Sequence, residues 1–336
     1  MLIARAPFRV SFAGGGTDLP AYYRQYGGMV VSAAIDKYFY VFISPNGNGS
    51  LQVSSANYRH LLHHSVQLPI PMEGELRHAR AILNQFAIVS GYSIFLASEV
   101  PPGTGLGSSS AAAVALVKAL GTLQGGLSEK GEVADLASRM EIEVLGMPIG
   151  KQDHYASAFG GINAIYFSAD GVRVEQLELT ASVRQRLQAS IMLFLTGLSH
   201  DSAKVLSEQR DSTEQRKESV IASLHRLRAF AEEARESLES GDVDRLGTVL
   251  HQSWEHKKRL ASGITTPQVD TAYEAALEAG ALGGKIAGAG GGGFLLLYCR
   301  PERQAAVTQS LEKLGLVKFD FHFDHAGARV LVNNAA

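Results

Sequence analysis

Apolar and polar residues alternate from Leu2 to Phe12, with Phe8, Val10 and Phe12 on one face and Arg9 and Ser11 on the other. A period of two predicts a strand. Met29 to Ile43 is rich in β-forming residues, and Ile94 to Ala97 reads as a short strand running into a glycine-rich loop. Glu73 to Val89 has apolar residues at helical spacing; its apolar stripe predicts core packing, with a dimer face as the alternative. Ser109 to Leu123 and Glu129 to Leu145 are also helical. Ile162 to Phe167 and Val172 to Leu179 form a strand pair turning at Asp170-Gly171.

The second half opens on an apolar strand, Ile191 to Leu195, followed by a charge-laced helical stretch over 201–260. Runs such as Glu232-Glu233-Ala234-Arg235-Glu236 are what a solvated helix face looks like, and no function is assigned to them. A helix over Val269 to Glu278, a strand over Gly293 to Tyr298 and a helix over Pro301 to Leu314 come next. Val317 to Phe323 and Arg329 to Val332 complete the pattern as strands. This order predicts an α+β protein with a small sheet covered by helices on one side, and a domain boundary near residues 180–190.

With 336 residues, the chain is long enough for one large domain or two of ordinary size. Its 46% hydrophobic and 19% charged content is globular, and a net charge of −2 gives no general attraction to nucleic acid or an anionic membrane. Any anion must therefore be met by a local site. The single cysteine, Cys299, lies in an apolar strand and excludes an internal disulfide framework. Neither a signal-peptide pattern nor a membrane-spanning run stands out, so the expectation is a cytoplasmic protein, monomer or homodimer.

Candidate chemistry concentrates in three segments. Pro101-Pro102-Gly103-Thr104-Gly105-Leu106-Gly107-Ser108-Ser109-Ser110 runs directly into an alanine-rich helix. Small residues let a ligand approach the backbone, and unpaired amides at a helix start favour an anion, most often phosphate. The second segment, Gly283 to Gly293, contains a formal G-x-G-x-x-G, but a strand follows where the dinucleotide fingerprint needs a helix. Lys285 there also fails the Walker pattern, because Ile286 stands where Ser or Thr is required. The third, Arg5 to Asp18, is a strand that opens into a glycine turn presenting Thr17 and Asp18. Trp254 and Lys257 share a helix face that could border a domain cleft.

These three segments, in this order and over nearly the whole chain, resemble the motifs of the GHMP kinase superfamily. The resemblance implies an N-terminal domain like ribosomal protein S5 domain 2, over 1–185, and a C-terminal ferredoxin-like α/β sandwich, over 186–336. ATP would place its phosphates on Pro102, Gly103, Thr104, Gly105, Leu106, Gly107, Ser108, Ser109 and Ser110. In the run from Glu141 to Tyr155, Glu141 fits the Mg²⁺ position together with Ser109, and Asp153 fits the base. Glu143 is a rival for the metal, but residues two apart on a helix do not share a face. Arg9 would stabilise the transferring phosphoryl group or pair with the Asp153 carboxylate. The acceptor, a sugar phosphate, would meet Gly15, Gly16, Thr17, Asp18, Gly290 and Gly291, with Lys151 and His154 as cations for its anionic group. The form Ala13-Gly14-Gly15-Gly16-Thr17-Asp18-Leu19-Pro20 is most similar to the branch acting on D-glycero-D-manno-heptose 7-phosphate. Other sugar 1-kinases and a non-catalytic sugar sensor are the alternatives.

Overall fold

The computed structural model describes residues 1–56, 60–64, 69–74, 76–127, 129–198 and 202–334. The first half contains β1 (Leu2–Ala13), α1 (Pro20–Tyr26), β2 (Gly28–Pro45), β3 (Leu51–Ser55), β4 (His60–His64), α2 (Arg77–Gln85) and β5 (Tyr92–Ser98). It continues with α3 (Ser108–Leu123), α4 (Lys130–Arg139), a π-helical turn at Met140–Val144, α5 (Gln152–Phe159), β6 (Ile162–Ser168) and β7 (Gly171–Gln176). The second half contains α6 (Ala181–Ser190), β8 (Ile191–Leu195), α7 (Ser202–Glu214), α8 (Glu218–Ser240) and α9 (Val243–Lys257). After these come α10 (Pro267–Ala279), β9 (Gly283–Ile286), β10 (Phe294–Tyr298), α11 (Gln304–Lys313), β11 (Val317–Phe319) and β12 (Arg329–Asn333).

The strands form two sheets. The larger runs β12-β1-β2-β5-β3-β4, with β6 and β7 branching from the N-terminal half of the long strand β2. All its pairings are antiparallel except that of β3 with β5. The smaller sheet runs β11-β8-β10-β9, antiparallel throughout. Numbered within that sheet, the order is 4-1-3-2, the ferredoxin-like arrangement.

Strand β1 does not have the wet face its alternation predicts. Phe8, Val10 and Phe12 are buried, and Arg9 and Ser11 are only 3% and 5% exposed. Helices α3 and α5 pack on β1, and so do α8 and α9 from the second half, so its polar residues face a seam between the halves. Alanine favours helix and keeps α3 slim, and its Ala111, Ala113, Ala115 and Ala119 are fully buried. In the second half, β9 lies tightly on α9: a Cβ at Gly283 would overlap the Gly247 carbonyl.

Several expectations change. The helix expected over 73–89 is confined to Arg77–Gln85, bounded by left-handed backbone at Leu76 (φ 61°) and Ala87 (φ 51°). It buries Ala79, Ala81, Ile82 and Leu83, which settles its stripe as core. The strands β3, β4 and β9, of five, five and four residues, lie outside the predicted elements. Position 201, the expected start of the long helical stretch, lies outside the described residues. At the C-terminus, Asp324 N–H donates to the Ala34 carbonyl and β12 pairs with β1, so the chain returns to the first sheet. The last strand of the expected 186–336 domain is thus hydrogen-bonded into the first sheet. The reason is physical: β12 supplies hydrogen bonds to what would otherwise be an open edge of β1.

Candidate active site

The centre of the seam is an ion pair between residues 144 positions apart. Arg9 on β1 donates from Nε to Asp153 Oδ1 and from Nη2 to Oδ2, each at 2.7 Å. This bidentate fork sets the carboxylate's plane as well as its position. The remaining Nη1 donates to the Gly105 carbonyl at 2.7 Å, tying the pair to the glycine loop. Asp153 lies in the first turn of α5, where the helix dipole favours negative charge.

Asp18 lies on the same cleft. Its Oδ1 accepts from Gly16 N–H at 2.9 Å and its Oδ2 from Gln152 N–H at 3.2 Å. Burial first, and then the charge of Asp153, push its pKa up against those backbone hydrogen bonds. Thr17, expected to face the acceptor, is instead fully buried; its hydroxyl donates to Gly14 and Met29 carbonyls and locks the turn. Gly15 and Gly16 do line the cleft.

The second half contributes the opposite wall. Lys257, at the end of α9, and Lys285, on β9, line the cleft with Gly288 and Ala289. They are 9% and 4% exposed. The Lys257 ammonium donates to the Gly288 carbonyl. Burial, then the charge of Arg9, bring the Lys257 pKa down to about 8. Lys285 is pushed well below the usual lysine range by burial, then by Lys257 and Arg9. The walls meet at two glycines. A Cβ on Gly288 would lie 2.6 Å from Gly105 Cα, and one on Gly105 would overlap the Ala287 carbonyl. Both residues have positive φ (69° and 85°), so glycine is required on both counts.

The other residues expected to meet the acceptor lie off this cleft. Gly290 and Gly291 do not line the cleft; Gly291 N–H is bonded to the Ile264 carbonyl, which staples the turn elsewhere. Lys151 is absent from the lining, its N–H held by the Asp18 carbonyl. His154 is fully buried against Glu141, because the step of one residue along α5 turns it away from the Asp153 side into the core. The cations in the cleft are therefore Arg9, Lys257 and Lys285. Arg9 was expected from the sequence and Lys257 was placed on a face that could border a cleft; Lys285 was noted only as failing the Walker pattern, because its strand is too short to show which way it faces.

Glu141 belongs to a separate buried node. His154 Nε2 lies 2.6 Å from its Oε2, and Ser110 Oγ donates to the same oxygen at 2.9 Å. The hydroxyl beside Glu141 is thus that of Ser110, not Ser109, which lies half-buried on another cavity. His78 Nε2 is paired with Oε1 at 3.1 Å, and among the described residues Oε1 accepts no geometrically well-formed hydrogen bond. Burial works to raise this carboxyl's pKa; the imidazoles of His154 and His78 outweigh it and hold the group well below the usual carboxylate range. An ionised, buried oxygen without a hydrogen bond fits a cation. Among the described residues no cluster of three or more His, Cys, Asp or Glu side chains could hold a metal. A cation here would need phosphate oxygens or water to complete its shell, as Mg²⁺ commonly does.

The expected phosphate loop divides by role. Pro102 and Gly103 are exposed, Gly105, Gly107, Ser108 and Ser109 are partly so, and Thr104, Leu106 and Ser110 are buried. Leu106 anchors the loop in the core while its carbonyl accepts from Arg9 N–H at 3.2 Å. Beside Ser109 a largely apolar cavity of about 240 Å³ opens between Phe39, Leu76, His78, Leu96, Ala112 and Leu116.

The fold and this pair of walls define a two-domain phosphotransferase with an alcohol group as acceptor. The chain belongs to the GHMP kinases: the GHMP kinase N-terminal domain matches residues 76–161 and the C-terminal domain 234–315, together half its length. It is 28% identical to the D-glycero-alpha-D-manno-heptose 7-phosphate kinase of Campylobacter jejuni over 97% of both chains. It is also 28% identical to a mevalonate kinase of Thermococcus sibiricus, covering 91% of this chain and 92% of that one. The crystal structure of a D-glycero-D-manno-heptose 1-phosphate kinase from Bacteroides thetaiotaomicron superposes with a TM-score of 0.82, at 26% identity and 99% coverage of both. No described helix is long and apolar enough to cross a membrane.

Proposed function

We propose that the protein is an ATP-dependent sugar kinase that phosphorylates the anomeric 1-hydroxyl of D-glycero-D-manno-heptose 7-phosphate. The product would be the 1,7-bisphosphate, a precursor of GDP-activated heptose for surface polysaccharides. The observation that carries the transfer is the Arg9–Asp153 fork held against Gly105. Asp153 takes the acceptor's hydroxyl proton or orients it for attack, and Arg9 offsets charge on the phosphoryl group. The loop amides and the start of α3 hold the phosphates, and the apolar cavity beside Ser109 takes the base. Mg²⁺ would sit on Glu141 Oε1 with a loop serine hydroxyl and offset charge on the donor phosphates.

Equal identity to a mevalonate kinase leaves the acceptor to the site itself. Ser11 Oγ, Gln152 Oε1 and Gln209 Nε2 are buried without hydrogen-bond partners among the described residues, and all three residues line the cleft. Buried polar groups need partners, and a polyhydroxylated sugar supplies donors and acceptors to several at once. This favours a sugar over a short aliphatic acid. The test is ADP release with ATP and Mg²⁺ across heptose 7-phosphate, unphosphorylated heptose, mannose, fucose, galactose and mevalonate. Turnover confined to the heptose 7-phosphate is expected. Preference for an unphosphorylated hexose or mevalonate would overturn the acceptor and keep the kinase.

A further inference from the structure

Lys285 is buried in the cleft, yet among the described residues it donates no hydrogen bond and has no carboxylate within ion-pair distance. The nearby charges are Lys257 and Arg9, which repel it, and Asp18, which attracts it. Arg9 is already committed to Asp153 and Gly105, Lys257 to Gly288, and Asp18 to two backbone amides. A lysine drawn this far into the protein beside two other cations is costly, and its place on the cleft wall lets an arriving anion offset that cost.

The position says which anion. Side chains two apart on an extended strand share a face, roughly 7 Å apart. Lys285 is two residues before Ala287, whose carbonyl abuts Gly105 of the phosphate loop. The Lys257 ammonium holds Gly288, the next residue, from the other side. Gly107 of the same loop closes the far end, where a Cβ would lie 3.0 Å from Asp153 Oδ2. The two lysines thus flank the junction where loop, base and acceptor converge.

We infer that Lys285, supported by Lys257, is a catalytic residue that contacts the phosphoryl group in transit between donor and acceptor. In that step the bond from the γ-phosphorus to the β,γ-bridging oxygen breaks, and its electron pair leaves with ADP. The acceptor oxygen bonds to phosphorus and its proton passes to Asp153. The ammonium of Lys285 offsets charge on the non-bridging oxygens and is not consumed.

The inference rests on the kinase reading but not on the identity of the sugar. The experiment compares wild type, Lys285→Met and Lys285→Arg in steady-state kinetics. It also measures the thermal shift produced by ADP, Mg²⁺ and aluminium fluoride, a mimic of the phosphoryl group in flight. Expected for Lys285→Met are a kcat at least 100-fold lower, KM for ATP within about threefold, loss of the fluoride-dependent shift, and an apo midpoint at or above wild type. Lys285→Arg should recover part of the kcat and of the shift. Retained kcat and shift in Lys285→Met would overturn the inference. So would a tenfold rise in KM confined to phosphorylated acceptors, which would make Lys285 the grip for the acceptor's own phosphate. A Lys285→Met protein that loses its fold would show a structural role and end it as well. If wild type turns over no sugar, the acceptor assignment falls, while the fluoride shift, which needs no turnover, still decides this one.

Discussion

Arg9 and Lys285 are both cations buried in one cleft, one from each sheet, and they are satisfied in opposite ways. Arg9 spends its donors on Asp153 and Gly105, making a neutral, rigid wall that is complete without ligand. Among the described residues Lys285 has no hydrogen-bonded or ion-paired partner, and Lys257 reaches a carbonyl. The first wall sets geometry, the second leaves a positive potential for substrate to neutralise. A site built this way gives up some stability in the empty protein for charge complementarity in the reacting one.

The largest effect should come from breaking the complete wall. Asp153→Asn keeps the shape and one acceptor for Arg9 but removes the base, so kcat should fall by roughly 10²–10⁴. Near wild-type turnover, measured by ADP release, would take Asp153 out of the base role. Next comes the support of Glu141. His154→Gln should raise the Mg²⁺ concentration for half-maximal activity by about 10–100-fold, the usual cost of losing a partner that orients a metal ligand. An unchanged Mg²⁺ titration would separate the Glu141 node from metal binding.

The contact between the walls gives a smaller effect. Gly105→Ala forces a side chain into positive φ and onto the Ala287 carbonyl, costing about 1–3 kcal/mol and pushing the walls apart. A lower midpoint with a reduced kcat is expected, and no change in either would show that the walls need not touch. The smallest effect sharpens the contrast through pH. Because Lys285 has a lowered pKa in the folded protein, the unfolded chain binds more protons between that pKa and about 10.4. The penalty is full at low pH and is lost as pH rises through that window. The stability gain of Lys285→Met should therefore be largest at the acid end of the range and narrow as pH rises toward 10, by thermal denaturation. A gap independent of pH would mean that the lysine is not charged against its surroundings.

Much of this was legible in one dimension, for a local reason. Loops of small residues, the helix after them and the alternation in β1 are properties of short stretches, so both glycine loops and Arg9, Asp153 and Glu141 were found from spacing and resemblance. The preference for Glu141 came from its fit to the family's motif, and spacing said only that Glu141 and Glu143 face different ways; Glu141 is buried and Glu143 exposed. The readings that changed depend on what a side chain faces. His154 and Lys151 sit beside Asp153 in the chain, yet neither reaches the cleft. A helix turns about 100° per residue, so adjacency to a catalytic position says little about sharing its surroundings. Ser109 and Ser110 differ by one such step, and it moves the hydroxyl from Glu141 to another cavity.

Chain-local chemistry thus settled the class of fold and nominated the glycine loops, the base and the metal ligand. Folding in three dimensions settled which of them meet, because the deciding contacts join residues far apart in the chain. Arg9 reaches Asp153 across 144 positions, and Lys257 reaches Gly288 across 31. The return of β12 to β1 and the placing of Lys285 next to the phosphate loop are of the same kind. Burial and electrostatic pairing are properties of a packed neighbourhood, and only the assembled sheets and helices create it.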